Sequence, residues 1–222
     1  MIQWWKGGVT MRDFPVFTTE HGVGSLIFKE IPSQGAAFVK IHDALEPYEF
    51  LMECVSFARA AGAERVYACG NVDLSEYPFH TSILRMRICR EELDDTDASL
   101  FPVTEECLQD FRHIYNQRMK YVPNFSFMTE KDALQILNDK EGYFVHRDGT
   151  LLGIGMAKGS EIKTVISCVP GAGRDVVLAL NHALAGDTAE LDVASENGRA
   201  IRLYESMGFI KIQELSKWYK IY

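Results

Sequence analysis

Residues 24–31 (GSLIFKEI) and 36–42 (AAFVKIH) are dense in β-branched and aromatic positions and bounded by Gly, Pro and Ser, which predicts two strands. The period then changes. Phe50, Leu51, Cys54, Phe57 and Ala58 fall on one helical face of residues 47–61, and Gly62 supplies a stop. RVYAC (65–69) and SILRMRIC (82–89) predict two more strands. Further on, Thr104 and Thr129 each precede acidic residues, an N-cap pattern for helices over 104–115 and 129–138. Strands at 143–146 (YFVH) and 150–157 (TLLGIGMA) flank Arg147-Asp148-Gly149, a hairpin turn signal. EIKTVISCV (161–169) is a strand ended by Pro170, which cannot donate to a ladder. Val176, Val177, Leu180 and Leu184 mark a helix over 174–185, with Gly186 beyond it. A short strand at 190–193, a helix at 198–207 closed by Gly208, and strands at 209–213 and 216–222 complete the chain.

This succession predicts an α/β (α+β) architecture, a mixed central sheet flanked by helices. The acidic run Glu91-Glu92-Leu93-Asp94-Asp95-Thr96-Asp97 reads as a solvated linker, because like charges so close repel. It places a smaller N-terminal α/β domain at 1–97 and a second domain at 98–222. The N-terminal strand-strand-helix-strand order echoes the middle of the second half, as a degenerate copy of it would.

Charge narrows the partners. With 23 Lys and Arg against 31 Asp and Glu, the net charge is −8. Nucleic-acid binding is not expected, since it needs clustered cations to displace counterions. Neither a membrane-spanning run nor a secretory leader is expected from the apolar pattern. Trp4-Trp5-Lys6 read as packing residues rather than a membrane anchor. The five cysteines, Cys54, Cys69, Cys89, Cys107 and Cys168, are odd in number and never spaced CxxC. Neither a disulfide framework nor a zinc site, nor any other metal, is expected; buried thiols in a reducing cytoplasm fit best.

The sharpest local pattern runs from Asn197 to Phe209: N-x-x-A-x-x-L-Y-x-x-x-G-F, directly after the strand Leu191-Asp192-Val193. Asn197, Ala200, Leu203, Tyr204, Gly208 and Phe209 fill its fixed positions. Cap, core and helix-stop roles explain each of them locally. The whole string nevertheless resembles the C-terminal motif of the GNAT-type N-acetyltransferase superfamily, and the element order from about residue 98 to 222 is similar to that fold.

The resemblance implies that acetyl-CoA binds where the strands at 161–169 and 190–193 splay. Ser167, Cys168 and Val169 would then meet the pantetheine arm. The turn and helix start Gly171, Ala172, Gly173, Arg174, Asp175 and Val176 would receive the diphosphate, with Asn197 and Tyr204 completing the site. The physics suits the ligand, because free N–H groups and the positive end of a helix attract phosphate. The turn departs from the family's Q/R-x-x-G-x-G/A loop: aligned on Val176, its small positions carry Asp175 and Val177, and Asp175 would repel a diphosphate if it pointed inward. Gly171, Ala172 and Gly173 can supply the small-residue turn one step earlier, with Arg174 as countercharge.

The implied reaction is direct acyl transfer to a primary amine, on a small molecule or a peptide. Tyr204 matches the family's proton donor to the leaving thiolate. A main-chain N–H near Cys168-Val169 is the expected oxyanion donor. Glu161 is the first candidate base for the amine, followed by Asp192 and His146. Cys168 has no neighbouring His in sequence to activate it and reads as a small core residue. Trp218–Tyr222 alternates large residues, as packing, an acceptor wall or a homodimer edge would. The alternative function is a non-catalytic acyl-CoA-binding or protein-interaction domain on the same fold.

Overall fold

A computed structural model of the chain describes residues 15–122 and 125–222; the Trp4-Trp5-Lys6 expectation lies outside them. The elements are β1 (Val16–Thr18), β2 (Gly22–Ile27), α1 (Ile31–Gln34), β3 (Ala36–Ala44), α2 (Pro47–Ala60), β4 (Arg65–Gly70), β5 (Phe79–Cys89), β6 (Ser99–Pro102), α3 (Leu108–Met119), α4 (Glu130–Asp139), β7 (Gly142–Arg147), β8 (Thr150–Lys158), β9 (Glu161–Ser167), α5 (Gly173–Asn181), β10 (Thr188–Ala194), α6 (Gly198–Ser206) and β11 (Ile210–Lys220). The expected mixed sheet with flanking helices is present.

The chain packs as two compact units, one of residues Leu84–Gln213 and the other of 15–83 together with Glu214–Tyr222. This division differs from the expected boundary between Asp97 and Ala98. It falls within β5 and again within β11, because the acidic run bonds to the helix α5 of its own unit instead of spanning two bodies. A single 3₁₀ turn, Arg90–Glu92, opens that run.

In the unit containing residues 15–83, the strand order is β1-β2-β3-β4-β11. β3, α2 and β4 form a parallel crossover whose strands stay paired over six residues, from Ala36↔Arg65 to Ile41↔Gly70. Phe50, Leu51, Cys54 and Ala58 bury the predicted face of α2 against Leu26, Val39 and Val66. Tyr219 and Ile221 pack here too, and Trp218 is buried separately, edge-on to Phe38 at 5.7 Å, so the large C-terminal residues include core members.

In the unit Leu84–Gln213, β6, β7, β8 and β9 form an antiparallel meander, and β9 crosses through α5 to the parallel β10. α5 buries Val176, Val177 and Leu180 against Leu191 and Val193 on one face of the sheet. α3 and α4 cover the other face through Phe111, Tyr115, Ala133 and Ile136 against Phe144, Ile154 and Ile166. Several caps follow the sequence. Thr129 and Asp132 make a reciprocal capping box at α4, and Asn197 Oδ1 accepts the Ala200 N–H at 3.2 Å to start α6. Two expectations are corrected. The helix expected from Thr104 begins only at Leu108, since Thr104 turns back on Cys107 Sγ. The two final strands are one, β11, because Glu214 and Leu215 continue the extended backbone.

Candidate functional site

β9 and β10 begin as ordinary parallel neighbours. Glu190 pairs with Glu161 and Leu191 with Ile162, and there the register ends, although β9 runs on to Ser167 and β10 to Ala194. The strands part immediately beyond Ile162. At the same point β9 bulges: Ala157 of β8 faces Ile162 while Met156 faces Thr164, leaving Lys163 as the extra residue. A bulge bends its strand and withdraws main-chain groups from the ladder. Lys163 is itself buried, held by Glu141 Oε2 at 2.6 Å, and Glu141 also takes Lys158 at 2.8 Å. On its β10 side, residues 163–167 therefore present a stretch of extended backbone without a strand partner.

The chain leaves this strand through a tight turn. The Ala172 N–H donates to the Val169 carbonyl, with Pro170 and Gly171 between them and Gly171 at φ +86°. Pro at the second position and a left-handed Gly at the third are the chemistry of a type II turn. α5 starts at once. Its N-cap, Ala172, carries no side-chain acceptor, and the first helical bond comes from the Val176 N–H. The N–H groups of Gly173, Arg174 and Asp175 precede it and point out of the helix end. A Cβ on Gly173 would lie 2.8 Å from Leu203 of α6, so glycine allows α5 and α6 to begin side by side.

Side chains around the turn are paired. Asp175 lies against Arg147, whose Nη2 donates to Oδ1 at 2.7 Å, so its carboxylate is compensated rather than bare. Arg174 pairs with Asp94, and Arg118 Nη2 donates to the Cys168 carbonyl at 3.1 Å. Val177 is fully buried in the core and does not fill the turn. One expectation fails here: the Cys168 and Val169 N–H groups both donate to the Leu152 carbonyl, at 2.8 and 3.4 Å, and so are not free to hold an oxyanion. Burial pushes the Cys168 thiol upward, with Arg118 opposing it only in part, which agrees with its reading as a packing residue.

Ser167, Cys168, Val169 and Gly171 to Val176 thus lie in one continuous segment ending at the α5 N-terminus, with α6 packed alongside. Asn197 caps α6 and Tyr204 packs in the same core as Val176, its ring 5.8 Å from Phe209. Burial drives the Tyr204 phenol above its ordinary pKa of 10, so it stays protonated through the neutral range. Glu161 sits elsewhere, at the closed end of the strand pair, about 20 Å along β9 from Ser167 at roughly 3.3 Å per residue. It shares a cluster with Asp192 and Glu190. Arg85 donates to Asp192 from Nε and Nη2, both at 2.7 Å, and lies 3.6 Å from Glu161 and 3.6 Å from Glu190. Arg87 holds Glu190 at 2.6 Å. His146 is not brought there: it lies on β7, with β8 between its strand and β9, stacked edge-on against Phe101.

Sequence reasoning missed the Lys163 bulge and the Arg85 cluster. Nothing in EIKTVISCV marks a bulge, and Arg85 lies more than a hundred positions from Asp192 in the chain.

No protein-family model matches the chain, and no curated protein sequence matches it. Solved structures do. A functionally unknown conserved protein from Staphylococcus epidermidis has a TM-score of 0.60 at 13% identity, covering 96% of this chain and 97% of its own. A putative acetyltransferase from Pyrococcus horikoshii scores 0.58 at 10% identity, over 90% of this chain and 69% of its own. A GCN5-related N-acetyltransferase from Sphaerobacter thermophilus scores 0.54 at 12% identity, over 89% and 75%. With a meander feeding a splayed β-α-β unit and these neighbours, the chain carries the GNAT-type fold of the N-acetyltransferases.

Proposed function

We propose that the protein is an acetyl-CoA-dependent N-acetyltransferase acting on a primary amine. The observation that carries this reading is the early parting of β9 and β10, two residue pairs against six in the β3-α2-β4 crossover. A closed pair has no backbone left to offer a ligand; an open one does. The N–H groups of Gly173, Arg174 and Asp175 would bind the diphosphate, favoured by the helix dipole and unopposed by Asp175, whose charge Arg147 offsets. The unpartnered edge of residues 163–167 would hydrogen-bond the pantetheine arm. About 13 Å of β9, from Ser167 back to Lys163, then puts the thioester near Lys163, where a main-chain N–H loosened by the bulge takes over the oxyanion role expected nearer Cys168.

The amine approaches the end of β9 that carries Glu161, Glu190 and Asp192, where three carboxylates face two guanidinium groups and favour a cation. Glu161 accepts the amine proton, directly or through a water, and Tyr204 returns one to the departing thiolate.

A second reading has its own observation. Tyr204 is buried and its phenol is made a weaker acid, which suits a domain that binds acyl-CoA without turnover. Two measurements separate them. CoA at about 100 times its dissociation constant stabilises a binder by roughly 2.7 kcal/mol, read as a thermal shift. Thiol release from acetyl-CoA across an amine panel then tests for catalysis. Turnover that falls about a hundredfold in Tyr204→Phe, with the CoA shift retained, supports the enzyme and its donor. Equal rates remove Tyr204 from the mechanism, and a shift without thiol release favours the binding module.

A further inference from the structure

The acidic run 91–97 is not a loose linker. It lies along α5, anchored beside the C-terminal end of that helix by Arg90, which donates to Asn181 Oδ1 at 2.7 Å and to the Asn181 carbonyl at 2.8 Å. Leu93 packs on the α5 core. From there the run delivers its carboxylates to cations, two of them at the opposite end. Asp94 pairs with Arg174 in the first turn. Asp97 Oδ1 lies 2.5 Å from Arg147 Nε, and Thr96 Oγ1 is 3.5 Å from Arg147 Nη2. Asp95 reaches His182 at 3.5 Å. Arg147 also holds Asp175, so three carboxylates serve the two guanidinium groups nearest the helix start.

We propose that residues 91–97 are an internal competitor for the coenzyme, an acidic strap whose Asp94 and Asp97 occupy the cations that the diphosphate would otherwise engage. The inference rests on the coenzyme site proposed above. Its physical basis is the exposure of the contacts. Asp94 and Asp97 are mostly in solvent, and Arg174 and Arg147 are partly so; such pairs are individually weak and open readily. A diphosphate diester matches the two charges of the carboxylates it replaces, holds them on one group, and also meets the first-turn N–H groups that the carboxylates do not engage. The strap therefore lowers coenzyme affinity without blocking the cleft. It also selects against weakly charged ligands that cannot displace it.

The test compares CoA binding by titration calorimetry to the full chain, to Asp94→Asn/Asp97→Asn, and to Glu91→Gln/Glu92→Gln. The last variant makes the same change in charge, in the same segment, at two exposed residues. Exposed pairs of this kind predict roughly three- to thirtyfold tighter CoA binding by the Asp94/Asp97 variant. The Glu91/Glu92 variant should stay within about twofold of the parent, as surface charges away from the site do. Equal tightening in both variants reduces the effect to general charge and overturns the strap. Unchanged affinity in Asp94→Asn/Asp97→Asn, with CoA binding intact, overturns the strap and leaves the coenzyme site standing. No CoA binding by any form overturns both.

Discussion

At the residue scale, the charges around the α5 start are shared, three carboxylates between two guanidinium groups. Asp175 carries the wrong sign for a phosphate, and Arg147 of β7, which it shares with Asp97, offsets it in part. His21 in the other unit is a simpler case whose pH response can be worked out. Its Nδ1 is 3.0 Å from Glu53 Oε1 on α2, with Glu46 and Glu20 nearby. The Glu53 hydrogen bond raises the imidazole above its ordinary 6.5, while hydrogen bonds from Thr19 and then His21 lower Glu53 below 4.5. A raised His contributes fully below its unfolded value and fades as pH rises through its folded one. A lowered Glu contributes above its unfolded value and fades as pH falls. The pair is therefore strongest between about pH 4.5 and 6.5. The melting temperature of the parent should exceed that of His21→Gln most in that window, with the gap closing as the pH is raised past neutrality.

At the scale of elements, the buried Lys163–Glu141 pair fixes the bulge beside the open end of the strand pair. Glu141→Gln leaves a buried ammonium poorly compensated and should cost about 3 kcal/mol or more in urea unfolding. Glu141→Leu with Lys163→Met, which removes both buried charges, should recover most of that loss. The pair also explains what the sequence could disclose. Local chemistry was readable: Asp148-Gly149 takes positive φ at both residues, 50° and 75°, as a hairpin turn requires. Pro170-Gly171 makes its turn, Thr129 makes its capping box, and Asn197 caps α6. Features made by distant partners were not readable. The bulge depends on Glu141 ahead of β7, and the clustering of Glu161 with Asp192 depends on Arg85 of β5. The α3 start slipped by four residues because Cys107 offers Thr104 a local partner outside the helix.

At the scale of the whole molecule, the same β-α-β arrangement occurs once in each unit, closed in β3-α2-β4 and open in β9-α5-β10. The two arrangements differ in how far their strands stay paired, six residue pairs in the first and two in the second. The route of the chain carries a further consequence. Tyr219 and Ile221 complete the core laid down by residues 26–74, yet they follow the whole of Leu84–Gln213. Deleting residues 214–222 should therefore unravel the N-terminal core first, seen as early protease cleavage between residues 36 and 70. During synthesis, residues 26–74 leave the ribosome more than a hundred residues ahead of the strand that closes over them.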